Sequence, residues 1–321
     1  MRVLITGMGG ELGTRVANLA EADETWTEIL GMDGYPPRRR ITRTAFHRVD
    51  PVDRRKAVHL VREFDPEVVV HLGVYEPNAH FDPTTARLGS AGSAVSVLGA
   101  AASCPGLRAI VVRSGIEVYG RRRGAPTRPD ESAPVDPTTP WGRSLAHAEA
   151  VAAEAGQLAG VPVTFVRCAP VVGPSFPSPL GRYLRLPVVA VSPLVELPFA
   201  VLHQEDAAHA LLAAAHARHD GPLNVVGPGA VTASQAVRRG GRVPVPVLGP
   251  GWWAAAAAAE LLGAPLPPHT RELLTRGGVA DGARARAVLG VEPRPTEDVV
   301  DQLYRWGEVA IAAGRGRRAV A

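Results

Sequence analysis

The chain has 321 residues, 46% hydrophobic and 21% charged, with a formal net charge of +4. That balance suits one large packed domain or a domain with a smaller lobe, and it excludes a disordered or collagen-like chain. No apolar run is long enough to span a bilayer, and the two cysteines, Cys104 and Cys168, have no metal-ligand spacing. The expectations are no membrane segment, no metal and a reducing, cytoplasmic setting.

The positive charge is almost all arginine; Lys56 is the only lysine. Arg38–Arg40 and Arg121–Arg123 are the densest clusters. They read as solvated loop residues rather than as a nucleic-acid surface.

Arg2–Ile5 is a short β-branched and apolar run of strand type, and no leader segment is expected before it. Gly7, Gly10 and Gly13 follow with G-x-x-G-x-x-G spacing. They lead into Leu12, Val16 and Leu19 at helical spacing. A strand, a glycine-rich turn and a helix N-terminus in that order make an anion site, because the backbone can approach closely and the helix amides face a pyrophosphate. Glu28–Met32 is a second strand, closed by Asp33. An acid about 20 residues past the turn is placed for the ribose hydroxyls of a dinucleotide. Asp33 favours NAD by repelling a 2′-phosphate; Arg38–Arg40 keep NADP open.

Phe46–Val49 reads as a third strand ended by Asp50, and Pro51–Phe64 as a helix. Glu67–Leu72 is a buried strand of parallel type, and Thr84–Ser103 a helix of small residues. Arg108–Arg113 is a fifth strand, Trp141–Leu158 a helix and Val161–Arg167 a sixth strand. Gly173–Pro198 reads as proline-rich loop. Phe199–His203, a helix over Glu205–Arg218 and Leu223–Val226 look like a return to the sheet, and the rest is helical, including Trp252–Leu262.

This alternation predicts an α/β fold: a Rossmann-type doubly wound parallel sheet with a smaller C-terminal substrate lobe. Residues 1–172, completed by about 197–227, form the NAD(P)-binding domain; 173–196 and 228–321 form the lobe.

The order of motifs resembles the extended short-chain dehydrogenase/reductase family, the group of nucleotide-sugar epimerases and dehydratases, over roughly residues 1–230. Thr6 to Gly13 matches its T-G-x-x-G-x-x-G, and His71-Leu72-Gly73 its H-L-A segment. Val118-Tyr119-Gly120 matches V-Y-G, Arg167 to Pro174 matches R-x-x-x-V-x-G-P, and Leu202 to Ala208 is similar to V-H-V-D-D-V-A. The resemblance implies a cofactor set of Gly7, Gly10, Glu11, Leu12, Gly13, Asp33, Asp50 (against the adenine), Leu72, Gly73, Ala169 and Val171. It also implies a nucleotide-sugar-like small molecule as partner, and a homodimer built from the helices at Thr84–Ser103 and Trp141–Leu158.

The departures lie at the catalytic positions. Family members use a Ser or Thr four residues before the V-Y-G tyrosine, and a later Y-x-x-x-K whose lysine lowers the tyrosine pKa. Here those positions hold Gly115, Trp141 and Leu145. An indole N–H is no base near neutral pH, and leucine cannot tune one. The family's helix asparagine is replaced by Gly89. The candidate substitutes are Ser114, Glu117, Tyr119 and His80, with Tyr75 and Glu76 on the same loop as His80. On a strand, Ser114 points away from the face of Gly115. Two readings stand: an enzyme of epimerase or dehydratase type with a displaced acid/base, and a catalytically inactive dinucleotide-binding sensor or scaffold.

Overall fold

Seven strands pair in parallel as one sheet: β1 (Arg2–Thr6), β2 (Glu28–Asp33), β3 (Ala45–Arg48), β4 (Val68–His71), β5 (Ala109–Gly115), β6 (Val163–Cys168) and, after β7 (Val171–Val172), β8 (Val188–Val191) and β9 (Leu202–His203), β10 (Gly221–Val225). The computed structural model describes residues 1–78, 81–192 and 196–305. The strand order is β10-β6-β5-β4-β1-β2-β3. The order reverses between β1 and β4, so the crevice for ligands opens beyond the carboxyl ends of those two strands.

Helices α1 (Glu11–Glu21) and, after α2 (Arg54–Phe64), α3 (Pro83–Ala101), α4 (Pro140–Ala159) and α5 (Pro179–Leu184), α6 (Gln204–Ala217) cover the sheet. α1 packs on α6 on one face; α2, α3 and α4 pack side by side on the other. The sheet is thus apolar on both faces, and Val68, Val69, Val70, Ile110, Val111 and Val112 are fully buried. Local chemistry sets the helix starts. Asp82 accepts from the amides of Thr84 and Thr85 ahead of α3, and Thr139 accepts from Gly142 ahead of α4. Each of these helices has proline in its first turn. α2 starts at Arg54 rather than Pro51, because Asp53 caps it by accepting from the Lys56 amide.

α7 (Ala233–Arg239), β11 (Val243–Pro246), α8 (Gly251–Leu261), α9 (Pro268–Arg276) and α10 (Ala283–Leu289) follow. A second apolar cluster, including Leu180, Tyr183, Leu184, Val189, Leu273 and Leu303, lies apart from the sheet's core. Two expectations are corrected here. Residues 173–198 are not all loop: Ser178 caps α5, and β8 pairs in parallel with β11. Phe199–His203 does not rejoin the main sheet. Leu202 and His203 pair with Val171 and Val172, and only Gly221–Val225 returns. The run alternates between cores, Phe199 and Val201 facing the second cluster and Ala200 and Leu202 the first, so its period of two serves two layers. The arginine tail expected at 315–318 lies outside the described residues.

Candidate active site

The glycine turn is shaped by close backbone contacts. Gly7 has φ +66°, and a Cβ there would lie 2.5 Å from the Leu72 carbonyl oxygen. A Cβ at Gly13 would strike the Gly7 carbonyl, so α1 can approach β1 only through glycine. Gly10 differs. Its backbone is extended, and a Cβ would meet only the Gly7 oxygen at 3.3 Å, so its free side faces the crevice. Thr6 ties the two strand ends together. Its hydroxyl accepts from the Leu72 and Gly73 amides and so donates to Nδ1 of the fully buried His71, at 2.8 Å. Burial pushes His71 down to about 4, which keeps the ring neutral.

A cleft of about 580 Å³ opens over this turn. Gly7, Gly10, Glu11, Leu12, Gly13, Asp33 and Leu72 all line it. Asp33 is buried, and its oxygens accept from the amides of Gly9 (3.0 Å) and Tyr35 (3.1 Å). Burial pushes its carboxyl up, against these bonds and the charge of Arg38. Glu11 is held by Arg15, Arg39 and Ser175, so its charge at the helix start is offset by two guanidiniums. Asp50 is exposed, accepts from the Val52 amide, and does not line the cleft; neither do Gly73 and Ala169. The Ala169 amide instead donates to Val225. The far wall is aromatic. Tyr35 stands edge-on to Phe81 at 5.7 Å, and Phe81 meets Tyr75 at 5.6 Å. Gly89 makes room for this wall, since a Cβ there would lie 3.3 Å from the Tyr75 ring.

Beyond the cleft, two candidates are absorbed into packing. The Ser114 hydroxyl donates to Glu149 at 2.5 Å. Glu149 forms a buried, two-pronged ion pair with Arg167, with bonds of 2.9 and 2.7 Å. Arg167 donates to the Tyr119 hydroxyl, which donates to Asn224 at 2.7 Å. Neither hydroxyl is left for a substrate. His80 lies outside the described residues.

Glu117 is placed differently. It sits in the single turn Ile116–Tyr119 after β5, and any side chain at Gly115 would collide with its Oε2 and come within 3.1 Å of Leu145 Cδ1. Its carboxylate therefore fills the place of the family's serine, and Gly115→Ser would require it to leave. Burial pushes the Glu117 carboxyl up; its own amide, His269 and Arg121 oppose this, and Glu76 reinforces it. Trp141 is buried at the start of α4, its ring 5.9 Å from that of His269 and the Arg113 guanidinium 5.7 Å from its centre. His269, on α9, bonds through Nε2 to Glu76 Oε1 at 3.0 Å. Glu76, Glu117, His269 and Val171 line one enclosed space of about 20 Å³, and Glu76 also borders the large cleft.

The model of the NAD dependent epimerase/dehydratase family matches residues 3–226. The chain belongs to that family. An uncharacterized protein of Mycobacterium tuberculosis is 30% identical to it, over 94% of this chain and 83% of that one. Among solved structures of the same fold are the UDP-glucose 4-epimerase of Thermotoga maritima (17% identity, TM-score 0.74, 97% of this chain and 100% of that one) and the UDP-glucuronic acid 4-epimerase of Bacillus cereus, in complex with UDP-glucuronic acid and NAD (15%, 0.74, 95% and 98%). The dTDP-glucose 4,6-dehydratase of Bacillus anthracis, in complex with NAD, is similar at 18% identity with a TM-score of 0.72, over 96% of each chain.

Sequence reasoning about this family member missed His269, Arg113 and the Tyr35–Phe81 wall. His269 lies 152 residues from Glu117 and 193 from Glu76, outside any motif, so no local signal could join them.

Proposed function

We propose that the chain binds NAD across the switch point and takes a nucleotide sugar, or a similar hydroxyl- or carbonyl-bearing substrate, between the sheet edge and the C-terminal lobe. The open cleft between the Gly7–Gly13 turn and Asp33 carries this reading. Gly10, at the N-cap of α1, offers no side-chain acceptor, which leaves the first-turn amides for a ligand's phosphates. Asp33 would accept from the ribose hydroxyls at the far end. Bound NAD supplies the hydride acceptor, and this chain's residues hold it and exclude water. On this reading 1–172 with about 197–227 would hold the cofactor, and 173–196 with 228–321 the substrate.

A second reading, dinucleotide binding without turnover, is favoured by one observation: the family's tyrosine and lysine positions hold the buried Trp141 and Leu145. Calorimetry separates cofactor binding from both. NAD is expected to bind, with NADP about tenfold weaker or more because Asp33 opposes the 2′-phosphate. Failure to bind either dinucleotide would sink the reading.

The proposed dimer uses α3 and α4. Leu88, Val95 and Leu158 are exposed there at 50%, 44% and 74%, and Gly99 is open. Gly89, Gly92 and Ala94 face inward, against Tyr75, the Pro51 carbonyl and the core, so they do not supply the contact. Light scattering is expected to give twice the chain mass, and Val95→Glu with Leu158→Glu a monomer. A wild-type monomer at micromolar concentration refutes the dimer.

A further inference from the structure

The enclosed space beside Trp141 brings together groups from three separate parts of the chain: Glu76 from the loop after β4, Glu117 from the turn after β5 and His269 from α9. Two carboxylates face one histidine there, with the Arg121 guanidinium acting on Glu117 from just past its own turn. Burying like charges together is costly unless a proton or cation is shared. The His269–Glu76 bond of 3.0 Å fixes one ring nitrogen and with it the orientation of the imidazole. The Glu117 carboxylate meets its own backbone amide, and it fills the serine position next to Leu145. Val171 and Ser178 close the space on the side of the crossing to the lobe.

We propose that Glu117 and His269 are the acid–base pair of this site, with Glu76 as the positioning residue that orients His269, acting on a secondary hydroxyl of a nucleoside diphosphate sugar. The inference rests on the cofactor-binding reading above. In the oxidative direction a bound dinucleotide would take up the electron pair of the substrate C–H bond as hydride, and the chain's own groups handle the proton. The O–H bond breaks, its proton passes to a Glu117 oxygen, and the carbinol carbon becomes a ketone. Protonated Glu117 passes the proton to His269 and on to Glu76, which borders the open cleft, and the reverse path delivers it as the ketone is reduced. The Trp141 ring lies tilted against His269, at the position where the family's tyrosine would itself carry the proton.

The pH dependence follows from the groups that face Glu117: His269 on α9, Glu76 after β4, Arg121 just past its own turn and Cys168 on β6. Burial, the largest influence, raises its carboxyl. The base form needed for oxidation is therefore gained as pH rises through a value above the ordinary carboxylate range.

The test uses the full chain with NAD and three probes: UDP-glucose, UDP-glucuronic acid and dTDP-glucose. Reduced nicotinamide is read by absorbance, and the protonated carboxyl by infrared difference spectra between pH 5 and 9. Wild type is expected to reduce NAD with at least one probe and to show a carboxyl band titrating above the ordinary range. Glu117→Gln, which is isosteric, should lose the band and about 10²–10⁴-fold in kcat with little change in KM. His269→Gln should lower kcat similarly, and Glu76→Gln should shift the pH limb of kcat. Melting curves and NAD calorimetry on each variant exclude unfolding. Wild-type rates in Glu117→Gln, absence of its carboxyl band from the wild type, or NAD that binds yet is reduced by no probe would each overturn the acid–base assignment and leave cofactor binding standing. No NAD binding by the wild type would instead overturn the reading beneath it.

Discussion

Gly10→Val is expected to abolish dinucleotide binding while leaving the fold in place. Gly10 has φ −73° and ψ 162°, a conformation that valine adopts without strain. A Cβ there meets only the Gly7 oxygen at 3.3 Å, so the branched side chain projects into the cleft over the start of α1. That is where the proposed pyrophosphate meets the helix amides. Excluding it removes the charge-assisted bonds that anchor the ligand, a loss of about 100-fold or more in affinity. Melting temperature should stay within about 2 °C of wild type, because no core contact changes. Gly7→Ala is the contrast. At φ +66° and against the Leu72 oxygen it strains the turn itself, so stability should fall along with binding. Wild-type affinity in Gly10→Val, measured by calorimetry, would remove the turn from the binding site.

Glu149→Ala should be the most damaging single change to stability among those at the sheet edge. Glu149 and Arg167 are 7% and 4% exposed, and the alanine would strand a guanidinium between β5, β6 and α4. Ser114 would lose its acceptor as well. Breaking a buried pair in this way costs about 3–5 kcal/mol. On a chain of this size that lowers the melting temperature by on the order of 10 °C. Replacing both partners by apolar residues, Glu149→Leu with Arg167→Met, should recover much of the loss, because the desolvation of the pair disappears with its attraction. Urea titration measures both variants; a cost below about 1 kcal/mol for Glu149→Ala would mean that water reaches Arg167.

How legible the fold was depends on the range of each signal. The β1–turn–α1 unit and Asp33 were readable because their chemistry is local: alternating burial, glycines at fixed spacing and an acid at a fixed offset. The doubly wound parallel sheet followed from β-α alternation. α5 and β8 were missed because four prolines from Pro174 to Pro187 read as loop, although Pro179 starts a helix that Ser178 caps. Phe199–His203 was misplaced because period-two burial specifies a two-sided strand and not which layers receive its sides. The Glu76–Glu117–His269 grouping was out of reach, since it is made by the docking of α9 on α4. Loss of the tyrosine and lysine to Trp141 and Leu145 was visible in the sequence; the packing of His269 and Arg113 around Trp141 was not.

Trp141 also has a spectroscopic consequence. Its indole lies between a guanidinium of the sheet and an imidazole of the lobe. Indole emission overlaps the absorption of reduced nicotinamide, and a neighbouring protonated imidazole quenches it. The substitution that removed the family's proton carrier thus installed an internal fluorophore. The signal lost in Trp141→Phe reports, without any label, both the redox state of a bound cofactor and the seating of α9.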